Sequence, residues 1–221
     1  MPSMTDEITK LRRMVLTMSA EVEQRVAGAV EALVRHDLER AQEVRHGDDE
    51  IDQLDVDIET ECMEILALHQ PVASDLRFVL TALRVNGDLE RMGDLARSVA
   101  RRALKLEKRV PLQRPLELRE LATSVQVIVS EAMRALGTPD EALCERIRTS
   151  DAEIDAKYKA VFTWATQEMQ SKPDAASPII DVLSIVRNLE RIADLAVNIA
   201  EAVIFQIEGT IVRHTPVPKA S

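Results

Sequence analysis

The chain has few rings and few breakers. One Trp, one Tyr and three Phe supply only 2% of its 221 residues, and there are six glycines. Such a composition disfavours strands and tight turns. Its bulk of Leu, Ala, Val, Ile, Glu and Arg combines strong helix formers with aliphatic packers, so the expected class is all-α. Cysteine is equally sparse: Cys62 and Cys144 lie far apart, outside any metal-type spacing and among apolar neighbours. They read as small core residues of a protein kept in a reducing compartment. No stretch reaches the ~18 uncharged apolar residues that a membrane span requires. The N-terminal Met1-Pro2-Ser3-Met4-Thr5-Asp6-Glu7 shows no basic segment followed by an apolar run, so no signal peptide is expected and the protein is expected to be cytoplasmic. Positive charge is in deficit as well. A net charge of −10 argues against a nucleic-acid backbone as the main partner. The local run Arg97, Arg101, Arg102, Lys105, Lys108 and Arg109 reads as a helix C-terminus compensating its dipole. Catalytic signatures are missing too: there is no Gly-x-Gly-x-x-Gly, no Walker-type loop and no nucleophile elbow. His36, His46, His69 and His214 form neither His-x-x-x-His nor Glu-x-x-His pairs, so a zinc-hydrolase or ferritin-like centre lacks its nitrogen ligands. A non-enzyme is expected.

Apolar residues recur in steps of three and four along most of the chain, the signature of amphipathic helices. The stripe Ile8, Leu11, Val15, Met18, Val22, Val26, Val30 and Leu33 predicts one helix from about Asp6 to Arg35. A turn at His36-Asp37 precedes a second helix, Leu38 to about Leu68, weakened near Gly47. Pro71 ends it, and a third runs from about Ser74 to Lys108. Val110-Pro111-Leu112-Gln113-Arg114-Pro115 forms the one Pro-rich join near mid-chain. Beyond it, helices are predicted over Leu116 to Leu136, Glu141 to about Met169, and from Ser177-Pro178 to Gln206. The second half therefore repeats the plan of the first. Three long helices with two short turns make an antiparallel bundle, so the domains are expected at 5–109 and 116–209, with a linker at 110–115 and a mobile tail at 210–221.

The repeat is also literal. Leu89-Glu90-Arg91-Met92-Gly93-Asp94-Leu95-Ala96 returns as Leu189-Glu190-Arg191-Ile192-Ala193-Asp194-Leu195-Ala196, six of eight positions identical at a shift of 100 residues. Asp48-Asp49-Glu50-Ile51-Asp52 corresponds to Asp151-Ala152-Glu153-Ile154-Asp155 at a shift of 103, as does Ala32-Leu33 to Ala135-Leu136. The three-residue deletion falls in the loop before the last helix, where a duplicated unit tolerates it. Each copy thus carries two acidic pairs at one-turn spacing: Asp48/Asp52 with Glu90/Asp94, and Asp151/Asp155 with Glu190/Asp194. Like charges at this spacing destabilise a helix by about 0.2–0.5 kcal/mol per pair. If the two helices face each other there, four carboxylates converge and a cation relieves them; hard ions such as Mg²⁺, Ca²⁺, Mn²⁺ or ferric iron suit such oxygens. Taken at ~100° per residue, Glu90 and Asp94 flank the apolar stripe instead of lining it. The expectation is a shallow surface cluster with Gly87, Gly93 and Ala193 as small neighbours.

Three runs carry a family resemblance: Asp49-Glu50-Ile51-Asp52-Gln53-Leu54, Gln70-Pro71-Val72-Ala73-Ser74-Asp75-Leu76-Arg77-Phe78, and Asp88-Leu89-Glu90-Arg91-Met92-Gly93-Asp94. Together with Asn188 to Glu201 they closely resemble the PhoU family, over about residues 5 to 209. The resemblance implies two tandem three-helix bundles related by pseudo-twofold symmetry. It implies a negative regulator of the phosphate-starvation response and of high-affinity phosphate uptake, which couples the ATPase subunit of a phosphate ABC transporter to a membrane sensor histidine kinase. It further implies metal clusters, with iron or zinc and, by the oxygen chemistry, manganese or magnesium as candidates. Carried onto this chain, the metal positions are Glu90, Asp94, Glu190 and Asp194, with Asp48, Asp52, Asp151 and Asp155 opposite. Ser98 and Arg101 stand where the second copy has Asn198 and Glu201, so the first cluster is expected to be the weaker. A homodimer is expected, contact with the membrane only through partners, and no nucleic acid. The rival readings are a metalloenzyme and a purely structural helical bundle.

Overall fold

In the computed structural model, which describes residues 3–46, 49–109 and 112–212, the chain is all helix. α1 spans Met4–Arg35, α2 Leu38–His46, α3 Asp49–His69 and α4 Ala73–Glu107; α5 spans Leu116–Gly137, α6 Glu141–Thr149, α7 Asp151–Ser171 and α8 Ala176–Glu208. The second helix of copy two is therefore two segments, α6 and α7, and in copy one α2 and α3 flank the corresponding position. In copy two the joint is Ser150, whose amide bonds Ile147 in a tightened turn before α7 begins. In copy one Gly47 and Asp48, between α2 and α3, lie outside the described residues, as does the tail beyond Val212.

Local signals explain most ends. Ser3 and Asp6 cap α1 reciprocally, each side chain taking the other's backbone amide. Asp37 accepts from the Arg40 amide at 3.0 Å and Asp140 from the Leu143 amide at 3.1 Å, which starts α2 and α6. Gly209 ends α8 at φ 80°, where a side chain would be strained. The expected start of α8 at Ser177-Pro178 is corrected: a 3₁₀ turn over Pro173–Ala175 leads in, and Pro178 sits inside the first turn of α8. It is tolerated because first-turn amides have no partner within the helix.

The apolar stripes fuse into one continuous core, in which Leu11, Met18, Ile51, Ile58, Leu89, Met92, Leu121, Leu143, Ile147 and Ile185 are at most 1% exposed. Among the described residues, the copies meet only through α4 against α8 and α1 against α5. Each element touches its own counterpart across the seam, as a pseudo-twofold relation requires. Polar pairs along α4 and α8 obey the same rule. At one end Arg77 Nε donates to the Gln206 carbonyl at 3.1 Å, and the buried Thr81 hydroxyl to the Ala202 carbonyl at 3.3 Å. At the other end stand their equivalents: Ser177 accepts from Arg109, and buried Asp181 takes Arg102 and Lys105 at 3.2 Å and Arg109 at 3.3 Å. The helices thus run antiparallel and are symmetric about the level of Met92 and Ile192, both buried. The two octets form the middle of the seam.

The mid-chain join is pinned. Arg114 donates to Glu107 and, at 3.4 Å, to the Leu33 carbonyl, while His36 bonds the same Glu107 at 2.8 Å. Burial would raise the Glu107 carboxyl, but His36 and Arg114 together hold it below its ordinary value. No described helix is long and apolar enough to cross a membrane.

Candidate functional site

Leu89 and Met92 are fully buried, and the 100° step turns Glu90 and Asp94 off that face. Glu90 is half-buried and Asp94 exposed, the shallow placement that the angles require. The neighbouring acids come from α3. Burial raises the Glu90 carboxyl above its usual range, and Asp94, Asp55 and Asp52 raise it further, opposed by Arg91. Asp52 of α3 is thus near enough to Glu90 of α4 for its charge to be felt there. Asp55 joins them, and sequence reasoning missed it. The signal lay in its spacing, three residues after Asp52 and so one turn along the same face. Burial, Glu59 and Asp52 hold the Asp55 carboxyl up as well. Asp55 is fixed by Asn86 of α4, whose Nδ2 donates to its carboxylate at 2.7 Å and to its backbone carbonyl at 2.9 Å. The other side of that amide, Asn86 Oδ1, is buried and accepts nothing.

A second missed residue is a cation. Arg25 of α1 is buried at 9% exposure beside this corner; burial lowers its pKa, and Glu21, Asp52, Asp94 and Glu50 oppose that shift. Gly93 leaves it room: a Cβ there would stand 3.7 Å from the guanidinium and 3.2 Å from Ile51 Cδ1. The first corner is thus an acidic cluster with Arg25 as a buried counter-ion and Arg91 and Arg97 at its rim. Its remaining donors are carboxylate and amide oxygens with unrelieved repulsion, and an orphaned acceptor borders them, a set whose chemistry fits a hard cation. Among the described residues, however, no three Asp, Glu, His or Cys side chains stand close enough to share one ion. Asp48 lies outside the described residues.

The second corner departs from the first. At the repeat's own shift, Ile128 replaces Arg25 and Tyr158 replaces Asp55. Glu190 is half-buried and Asp194 exposed, while Asp155 pairs with Lys159 on its own helix at 3.1 Å. Asp151 opens α7, and its side chain is outside what the structure describes. Glu201, expected to assist an ion, is paired with the buried Arg148 at 3.5 Å; Arg148 also bonds Glu145 at 2.8 Å.

The remaining candidates are placed as follows. Cys62 and Cys144 are fully buried, and burial pushes both thiols up to about 12. His46 is exposed, and His69 pairs with Glu7 at 2.6 Å. The basic run on α4 is more than dipole compensation. Arg102, Lys105 and Arg109 serve Asp181, Arg97 pairs with Asp94 at 2.6 Å, and Arg101 faces a cleft with Arg45 and Arg91.

Fold and site together define a duplicated α-helical bundle whose two halves share one core and carry acidic corners beside it. The family model of the PhoU domain matches twice, at residues 15–103 and 118–203. A protein of Pseudomonas aeruginosa named as a phosphate-specific transport system accessory protein, PhoU homolog, is 40% identical over 209 residues, covering 94% of this chain and 86% of that one. One of the same name from Aquifex aeolicus is 34% identical, covering 94% of each chain. The crystal structure of PhoU from Pseudomonas aeruginosa superposes with a TM-score of 0.90 at 38% identity, over 94% of this chain and all of that one. The phosphate transport system regulatory protein PhoU from Streptococcus pneumoniae gives 0.85 at 27%, over 95% and 99%. The chain belongs to the PhoU family.

Proposed function

We propose that this chain is a regulatory adaptor of phosphate homeostasis. It restrains the phosphate-starvation response and high-affinity phosphate uptake by joining the ATPase subunit of a phosphate ABC transporter to a sensor histidine kinase. The carrying observation is the 40% identity over 209 residues to a protein named for accessory work in phosphate-specific transport. Val56 and Met63, one helical face of α3 and each more than half exposed, favour self-association as a homodimer. Affinity-tagged protein expressed in its own host should co-purify the transporter's ATPase subunit. Recovery of neither that subunit nor the kinase, from cells that express both, contradicts the reading.

We also propose that the acidic corners bind metal: Glu90 and Asp94 with Asp48 and Asp52, and Glu190 and Asp194 with Asp151 and Asp155. Asp55 and the Asn86 amide oxygen are further donors at the first corner. A bound iron, manganese, magnesium or zinc ion supplies positive charge that neutralises the carboxylates and cross-links the helices carrying them. The residues themselves hold the donor oxygens in place. Asn86 fixes Asp55, Arg97 orients Asp94, and Arg25 supplies part of the positive charge beforehand. Arg25 therefore weakens the first corner. Arg25→Ile, which installs the second copy's residue, should raise metal retained per chain after purification without chelator and enlarge the melting shift on adding Mn²⁺ or Fe³⁺. Unchanged metal content and no melting shift in either protein favour a purely structural role for these acids.

A further inference from the structure

The acidic corner of the first bundle borders a cleft of the opposite sign. It has a volume of about 620 Å³, lies between α2 and α4, and is lined by Arg45, Arg91, Asp94, Leu95, Arg97, Ser98 and Arg101. Among the described residues, four guanidinium groups face it against one carboxylate, in a chain of net charge −10. Asp94 is already engaged by Arg97 at 2.6 Å. Arg45, Arg91 and Arg101 are exposed, and no described carboxylate makes a salt bridge with them. Their neighbours in the same basic run differ in kind, for Arg102, Lys105 and Arg109 turn to the seam and pair with Asp181.

The second copy is an internal control. Arg148 and Arg191 keep the positions of Arg45 and Arg91, but Val197 and Glu201 replace Arg97 and Arg101. There the equivalent of Arg45 is buried and bonded to Glu201 at 3.5 Å and to Glu145 at 2.8 Å. One sequence, folded twice, has closed this corner with its own acids in one copy and left it cationic in the other. Packing does not demand the open form.

We infer that the Arg45–Arg91–Arg97–Arg101 cleft is a binding site for a compact, multiply charged oxyanion of the phosphoryl class. Guanidinium forks pair with tetrahedral oxyanions through two parallel hydrogen bonds. Arginines arriving from both walls can engage one such group from several directions. Among the described lining residues Leu95 is the single apolar one and none carries a ring, so none of them can stack on a nucleobase. The cleft admits a group of pyrophosphate size together with its water. This inference stands apart from the regulatory reading above, since it rests on charge and cleft geometry alone.

Calorimetric titration of the full chain with inorganic pyrophosphate at low ionic strength should show saturable binding of one ligand per chain. Arg101→Glu and Arg97→Val, which install the second copy's residues, should each weaken it at least tenfold while far-UV circular dichroism stays unchanged. Arg191→Ala, in the second corner, should leave it intact. Absence of saturable binding overturns the inference, as does equal loss in Arg191→Ala. A heat that vanishes after chelator dialysis assigns the anion to bound metal and also overturns it. Tighter binding of an acidic peptide than of pyrophosphate assigns the cleft to a protein partner instead. If Arg101→Glu unfolds the chain, Arg45→Gln, on an exposed residue of the other wall, must reproduce the tenfold loss.

Discussion

Two glycines make a matched pair in which one chemical change is expected to have two outcomes. Gly28 and Gly93 both lie inside helices, in α1 and α4, and both are buried. Replacing either by Ala removes a helix penalty of about 0.5–1 kcal/mol. The surroundings then decide. At Gly28 an added Cβ would stand 2.7 Å from Val44 Cγ2 and 3.0 Å from Arg40 Nε. Val44 is a buried β-branched residue, and Arg40 is held by Glu31 and Glu43, so neither yields cheaply. Overpacking of this kind costs about 1–3 kcal/mol and outweighs the helix gain. At Gly93 the nearest atom is Ile51 Cδ1 at 3.2 Å, the far end of a flexible side chain, and the second copy already carries Ala193 opposite Ile154. The cost there is small. In a chain of this size 1 kcal/mol moves Tm by about 2–4 °C. Gly28→Ala should therefore lower Tm by about 2–6 °C, and Gly93→Ala should leave it unchanged or raise it by about 1–3 °C. Differential scanning calorimetry, with urea unfolding as a check, measures both. A Gly28→Ala protein as stable as Gly93→Ala would refute the close approach of α2 to α1.

Further outcomes follow from the charges. The folded-state pKa of Glu90 lies above its unfolded value, so its ionised form costs stability above the folded pKa, and the cost disappears below the unfolded value, where both states are protonated. Glu90→Gln should stabilise the metal-free protein near pH 7 by about 0.2–0.5 kcal/mol and should have no effect near pH 3; thermal melts at both values test it, and equal shifts contradict it. Glu107 has the opposite sign, its stabilisation being present at neutral pH and lost as pH falls through its depressed folded pKa. Asp181→Ala should cost about 1.5–3 kcal/mol, the range for hydrogen bonds to charged groups. Asp181→Thr, which supplies the hydroxyl that Thr81 offers at the other end of the seam, should lose less; urea midpoints separate them. Native Cys62 and Cys144 should not react with a thiol reagent that labels both after unfolding, and rapid native labelling would contradict their burial.

The helices were legible because each buries one face. Leu11, Val15, Met18 and Val22 announce their period without a partner being known, and the octets announce the duplication. The break at Ser150 was not legible, because no proline or glycine marks it and the apolar period continues across to Ile154. The candidate site was half legible. Glu90 and Asp94 could be placed by helical angle, since the angle belongs to one helix. Arg25 could not, because its charge partners Asp52 and Asp94 lie on other helices and no spacing rule connects them. For the same reason Arg102, Lys105 and Arg109 read as dipole compensation until α8 brought Asp181, some 80 residues away, against them.

The proposed regulatory role has a direct measurement. In the organism that carries this gene, a phosphate-starvation reporter would be followed in phosphate-replete medium after clean deletion of the gene and after its restoration on a plasmid. The adaptor reading predicts constitutive expression in the deletion and repression on restoration. Normal repression without the gene would contradict it.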